Sequence, residues 1–171
     1  MPEFPVFATY LTHSRQRDLF RTKDLVTQWA RSYPMIFDED DIRIAKNQAE
    51  MGYHFYEWLA AVLIYHTHGY LSLVEQYQFK SHSRKQSILR QLTSSLTLEF
   101  IQYHPEFGKV QCPDLLVYNP NFSEWFFCEV KGPSDSLTSK QIEFFRALAN
   151  NSGKDIRMVE FVYLRKQRIT G

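Results

Sequence analysis

The sequence predicts an α/β fold with a central sheet flanked by helices, and three observations carry that prediction. Two short runs rich in branched and aromatic residues, 114–118 and 125–131, are separated by Asn119-Pro120-Asn121-Phe122-Ser123, which is turn chemistry between two strands. Apolar residues recur at helical spacing both before and after this pair, in residues 14–33 and 138–150. Residues 55–65 are apolar nearly all round, the pattern of a helix buried inside a layered domain.

The chain has 171 residues, enough to bury a real core. An aromatic content of 16%, with 14 Phe and 10 Tyr, excludes a disordered tail. The formal net charge of +1 argues neither for nor against a polyanionic partner, so the placement of charge matters more than its sum. Cys112 and Cys128 show no CxxC spacing, and nothing suggests a disulfide framework. The start Met1-Pro2-Glu3-Phe4-Pro5 lacks the charged start and apolar core of a signal peptide. The longest apolar run, residues 58–65, is far short of a membrane span. These features predict a cytoplasmic or nucleoid-associated protein without a membrane partner.

In order, residues 1–14 show no clear period and read as irregular. Leu19, Thr22, Leu25, Val26 and Trp29 predict one amphipathic helix from Ser14 to Tyr33, ended by Pro34. Asp38-Glu39-Asp40-Asp41 could mimic a metal cluster, but reads better as the acidic start of the next helix, which begins near Asp41 and kinks or breaks at Gly52. Glu57 interrupts the apolar helix that follows; it is either a solvated or paired edge residue or an acid aimed into a site. His66 and His68 are two apart and do not face each other on a helix, which argues against zinc, and Gly69 closes the helix.

Residues 70–79 read as a strand. Residues 76–98 carry no acid, while Lys80, Arg84, Lys85 and Arg90 add four positive charges, as a solvated basic segment or as a flank that contacts phosphates. Residues 96–103 read as a further strand. After the 114–131 hairpin, Thr138-x-x-Gln141 forms a capping box for a helix reaching about Asn150, and residues 156–164 form a final buried strand. The basic stretch Arg165-Lys166-Gln167-Arg168 reads as a solvated tail.

The hairpin carries the chemistry. Strand side chains alternate, so Glu129 and Lys131 share a face from which Val130 points away. A turn centred between Asn121 and Phe122 puts Asp114 directly opposite Glu129, with Cβ atoms about 4.5–5.5 Å apart. Two carboxylates that close repel unless a cation or a shared proton lies between them. All-oxygen ligands without clustered Cys or His suit a hard ion such as Mg²⁺ or Mn²⁺. Lys131 can reach a phosphate oxygen. The plain alternative is a hairpin with exposed charges and one salt bridge.

Cys112-Pro113-Asp114-Leu115, followed by Glu129-Val130-Lys131-Gly132-Pro133-Ser134-Asp135-Ser136-Leu137-Thr138-Ser139-Lys140-Gln141, resembles the PD-(D/E)XK nuclease superfamily and, within it, the VRR-NUC (virus-type replication-repair nuclease) family, whose pattern reads roughly G-x-P-D-L…E-V-K-G-P-x-D-x-L-S-x-x-Q. The resemblance covers about residues 50–165. Two positions depart from the pattern: Gln111 stands where a glycine is expected, and Thr138 where a serine is. Neither removes a chemical group the mechanism needs. Phe144 and Phe145 supply the aromatic residues usual after the glutamine.

The resemblance implies a restriction-endonuclease-like core, α-β-β-β-α-β, with an extra N-terminal helical segment: residues 1–45 as a helical extension packed on the core, and residues 46–171 as the nuclease domain. It implies a divalent-metal-dependent deoxyribonuclease acting on branched or structured DNA in repair, recombination or phage biology. Asp114, Glu129, the Val130 carbonyl and Glu57 would hold the ion, Lys131 would orient the attacking water, and Gln141 would support the site. Phosphodiester hydrolysis needs charge neutralisation and a nucleophile at neutral pH, and a divalent ion supplies both. A junction resolvase acting as a homodimer, a restriction-type enzyme, and a catalytically quiet module that binds DNA or protein stand as alternatives.

Overall fold

The alternating runs become a hairpin. In the computed structural model, which describes residues 3–75, 77–79 and 81–165, β3 (Leu115–Tyr118) pairs antiparallel with β4 (Trp125–Lys131). Leu115 faces Cys128, Leu116 faces Phe127, Val117 faces Phe126 and Tyr118 faces Trp125, the register expected for a turn centred between Asn121 and Phe122. Asn119 holds that turn: its side-chain oxygen accepts the Glu124 amide at 2.9 Å, and its amide donates to the Ser123 hydroxyl. Every residue of β3, and β4 as far as Val130, is buried, as expected of central strands.

Five strands make one sheet in the order β1-β5-β4-β3-β2. β2 (Leu71–Val74) pairs antiparallel with β3, β5 (Ile156–Tyr163) pairs parallel with β4, and β1 (Val6–Thr12) pairs parallel with β5 at the edge. The sheet is therefore mixed. Helices α1 (Ser14–Arg21), α2 (Asp24–Ser32), α3 (Glu39–Met51) and α4 (Phe55–His68) supply the residues that pack on one face, against Val117, Phe126, Cys128, Val130 and Val159. Helices α5 (Ser83–Leu92), α6 (Ser95–Gln102) and α7 (Ser139–Ser152) cover the other, against Leu116, Phe127, Ile156 and Met158. The sequence order from α4 onward is the expected α-β-β-β-α-β core, with α5 and α6 inserted after β2 and a strand and three helices before it.

α4 is the spine of the first layer. Trp58, Ala60 and Ile64 have no exposed surface, and the burial of each large apolar side chain contributes roughly 1.5–3 kcal/mol. Gly69 ends the helix at φ +71, a conformation costly for residues with a Cβ. The acidic run 38–41 is a cap: Asp38 accepts the Asp41 amide at 2.8 Å, and Asp41 accepts the Asp38 amide at 3.3 Å. Gly52 ends α3 at φ +73.

Four expectations are corrected. Residues 6–12 are a strand, not irregular; as an edge strand β1 is only partly covered, which blurs its alternation. The single helix expected over 14–33 is two, parted where Lys23 adopts φ 67. The strand expected over 70–79 stops at Val74. Residues 96–103 form α6 instead of a strand: Leu96, Leu98 and Phe100 alternate, but the positions buried are Thr97 and Ile101, four apart, and Ser94 caps the helix by accepting the Thr97 amide. No helix among the described residues is long and apolar enough to cross a membrane.

Candidate active site

The sheet brings the site together at one end, where β2 and β4 finish and β3 begins. Extending the hairpin register by one residue sets Asp114 across from Glu129, and each carboxylate reaches the other's strand. Asp114 Oδ2 accepts the Val130 amide at 2.9 Å, and Glu129 Oε2 accepts the Asp114 amide at 3.2 Å. Alternation points Glu129 and Lys131 towards the α5–α7 layer. Lys131 Nζ lies 2.7 Å from Glu129 Oε1, and Gln141 Nε2 donates to the same oxygen at 3.0 Å. Gln141 also closes the capping box of α7, with its Oε1 accepting the Thr138 amide and its amide donating to the Thr138 hydroxyl.

The other layer contributes Glu57, in the first turn of α4, where a carboxylate meets the positive helix end. Beside it stand two residues that the sequence did not single out. Glu75 follows β2 with φ 51, and its amide donates to the Asp114 carbonyl at 3.2 Å. His54 precedes α4 with φ 61; its Nδ1 is 2.9 Å from Glu75 and 3.7 Å from Glu57. His54, Glu57 and Glu75 each offer a ligand atom within 4.8 Å of the others. The available signal for Glu75 was an acid just past an apolar strand and just before a long stretch without acids.

Burial is the first cause that pushes the Asp114 carboxyl well above its usual range, and the charges of Glu129, Glu57 and Glu75 add to it. Burial also raises Glu129, against the opposing pull of Lys131. Hydrogen bonds to Glu57 and Glu75 raise His54 to about 10, so at neutral pH it is a cation between two acids. Four carboxylates thus face one another with Lys131 and His54 as the cations in contact with them among the described residues. That excess of oxygen ligands and negative charge fits a hard divalent ion.

The basic segment divides. Lys85 is 2% exposed, with its ammonium 2.6 Å from the Val74 carbonyl, 3.0 Å from that of Glu75 and 3.1 Å from the Asp41 carboxylate. It ties α5 and α3 to the end of β2, and this corrects the expectation that it contacts phosphate: a buried, paired ammonium is out of reach. Arg84 pairs with Asp38 and Asp41, at 3.5 and 3.3 Å. Arg90 is exposed, and Lys80 lies outside the described residues.

No curated protein matches the sequence. Among solved structures the fold is similar to a crystal structure of paFAN1 bound to a 2-nucleotide 5′-flap DNA with a gap, at 13% identity and a TM-score of 0.47, covering 97% of this chain and 39% of that one. The chain therefore spans well under half the length of that relative. The VRR-NUC domain family matches residues 56–160. That span opens at the start of α4, takes in Glu57, Glu75, the Asp114–Glu129 pair, Lys131 and Gln141, and closes within β5; the chain belongs to the VRR-NUC domain family.

Proposed function

We propose that this VRR-NUC domain is a divalent-metal-dependent nuclease that hydrolyses DNA phosphodiester bonds, with branched or otherwise structured DNA as its substrate and Mg²⁺ or Mn²⁺ as its ion. The observation that carries the reading is the convergence of the buried Asp114 and Glu129 carboxylates, each bonded to the other's strand, with Lys131 beside them. A binding module has no use for buried acids that repel. The preference for structured DNA rests on the kinship with the VRR-NUC family alone.

Asp114, Glu129 and the Val130 carbonyl would hold the ion, and Glu57 and Glu75 would extend the donor set on the α4 side. A bound divalent ion supplies Lewis acidity and a nucleophile at neutral pH. Glu129, fixed by the Asp114 amide, Lys131 and Gln141, is held in place before any substrate arrives. Lys131 keeps a positive charge next to the site of attack, where it would orient the attacking water and stabilise charge developing on the phosphate. Gln141 positions Glu129, and so acts through another residue.

The test is Lys131→Ala assayed on plasmid, flap, splayed-arm and four-way-junction DNA, with Mg²⁺, Mn²⁺ or EDTA. Cleavage by the natural chain in metal and none in EDTA is expected. The variant should stay folded and keep binding Mn²⁺ by calorimetry, while cleavage falls about 10²–10³-fold, the loss typical when one charge-stabilising group is removed. A fully active variant, or binding without cutting in every metal by the natural chain, overturns the reading.

A further inference from the structure

A cavity of about 310 Å³ opens beside the carboxylate cluster and shares His54 and Glu57 with it. Its walls come from elements far apart in sequence: Arg17 of α1, the 52–57 segment, the Gly132–Asp135 turn and Tyr163 at the end of β5. We propose that this cavity is a subsite for one unpaired nucleotide of the DNA strand next to the cleaved bond, with its phosphate on Arg17 and Arg21 and its base against Tyr53. The inference rests on the nuclease reading for its substrate and adds where that substrate lies.

The arginines are the first ground. Arg17 donates to the Gly52 carbonyl at 3.2 Å, and a Cβ on Gly52 would stand 2.7 Å from Arg21 Nε, so both guanidiniums lie over the same glycine. They are one helical turn apart on α1, both exposed, and neither has an acid at ion-pair distance among the described residues. A guanidinium offers five N–H donors, so the one bond from Arg17 to Gly52 leaves most of that fork free for phosphate oxygens. Next to four carboxylates, an anionic strand needs such a counterweight to approach at all.

The rings are the second ground. Tyr53 is 56% and Tyr163 55% exposed at the cavity's edge, so both rings can be reached from solvent. Exposed aromatic faces beside a basic rim are the means by which proteins hold single strands, since every base has a face to stack. The size suits one nucleotide: the volume sits at the low end of the range for small-ligand pockets, and Gly132 packs on the Tyr56 ring in its wall. Arg17, Arg21 and Tyr53 all precede residue 56, outside the span matched by the family, whereas Glu57 and the Gly132–Asp135 turn lie within it.

Fluorescence anisotropy with a labelled dT oligomer and a blunt duplex tests this, using the full chain carrying Lys131→Ala in EDTA so that neither probe is cut. Adding Arg17→Ala with Arg21→Ala should weaken dT binding at least tenfold and lower the salt slope by about 0.7 for each phosphate no longer neutralised. Tyr53→Ala should weaken it about 5- to 150-fold. Duplex binding, Mn²⁺ affinity and melting temperature should stay within twofold or two degrees of the parent. Unchanged dT affinity, or an equal loss for duplex and single strand, overturns the subsite. Should the double arginine variant melt early, Tyr53→Ala, an exposed substitution, decides alone. A chain that cuts nothing in any metal yet binds dT through these residues sinks the nuclease reading and keeps the subsite.

Discussion

Asp114→Asn should make the metal-free protein more stable while abolishing its response to metal. Asp114 is buried with the charge of Glu129 acting on it first among its neighbours, then those of Glu57 and Glu75. Two like charges about 5 Å apart at an effective dielectric of about 20 repel by roughly 3 kcal/mol. Taking up a proton is the other relief, but holding a carboxyl of ordinary pKa about 3.9 neutral at pH 7.5 costs about 4.9 kcal/mol. Burial adds to the repulsion, so the repulsion alone is the least of the gain and the cost of protonation its ceiling. Asparagine keeps an oxygen for the Val130 amide, so the 2.9 Å bond is not lost. A gain of about 3 kcal/mol corresponds to a rise of roughly 6–12 °C in a chain of this size. Calorimetric melting in EDTA and in Mn²⁺ at pH 7.5 measures it. A folded pKa raised above the unfolded one means stability that is full below the ordinary carboxylate range and lost as pH rises through the folded value. The variant's advantage should therefore vanish near pH 4 and grow towards neutrality. A lower melting temperature in EDTA, or an Mn²⁺ shift as large as that of the natural chain, refutes the crowded-carboxylate reasoning.

Two further outcomes follow from the packing around the site. Lys85→Met leaves Asp41 buried without its 3.1 Å partner and should cost about 3–5 kcal/mol in urea unfolding, a loss a phosphate-contacting surface lysine would not cause; a change under about 1 kcal/mol contradicts its structural role. Gly132→Ala places a Cβ 2.9 Å from the Tyr56 ring and 3.0 Å from the Asp135 carboxylate, so it should cost about 1–3 kcal/mol and reduce cleavage with Lys131 intact, whereas a melting temperature equal to the parent's refutes the close packing.

The hairpin and its caps were legible because their causes are local. The turn chemistry of Asn119–Ser123 and strict alternation placed Asp114 against Glu129, and Thr138 with Gln141 marked the start of α7. Local signals also misled where two periods fit one string. Leu96, Leu98 and Phe100 alternate like a strand, yet Thr97 and Ile101 bury the face of a helix, because the layer over the sheet needed a helix there. Lys85 looked like part of a basic surface, since sequence shows charge but not the buried acid and carbonyls that surround it.

By itself, then, the sequence determined the α/β class, the acid pair with its lysine, and the helix that carries Glu57. Only the tertiary structure decided that Glu75 and His54 join them, that Lys85 is a tie within the core, and that Arg17 and Tyr53 line a cavity beside them. The physical reason is range. A hairpin's register follows from neighbours a few residues apart, whereas the convergence of α1, α4, β2 and the Gly132–Asp135 turn depends on how two helical layers close over one sheet, and no periodicity in the chain encodes that directly.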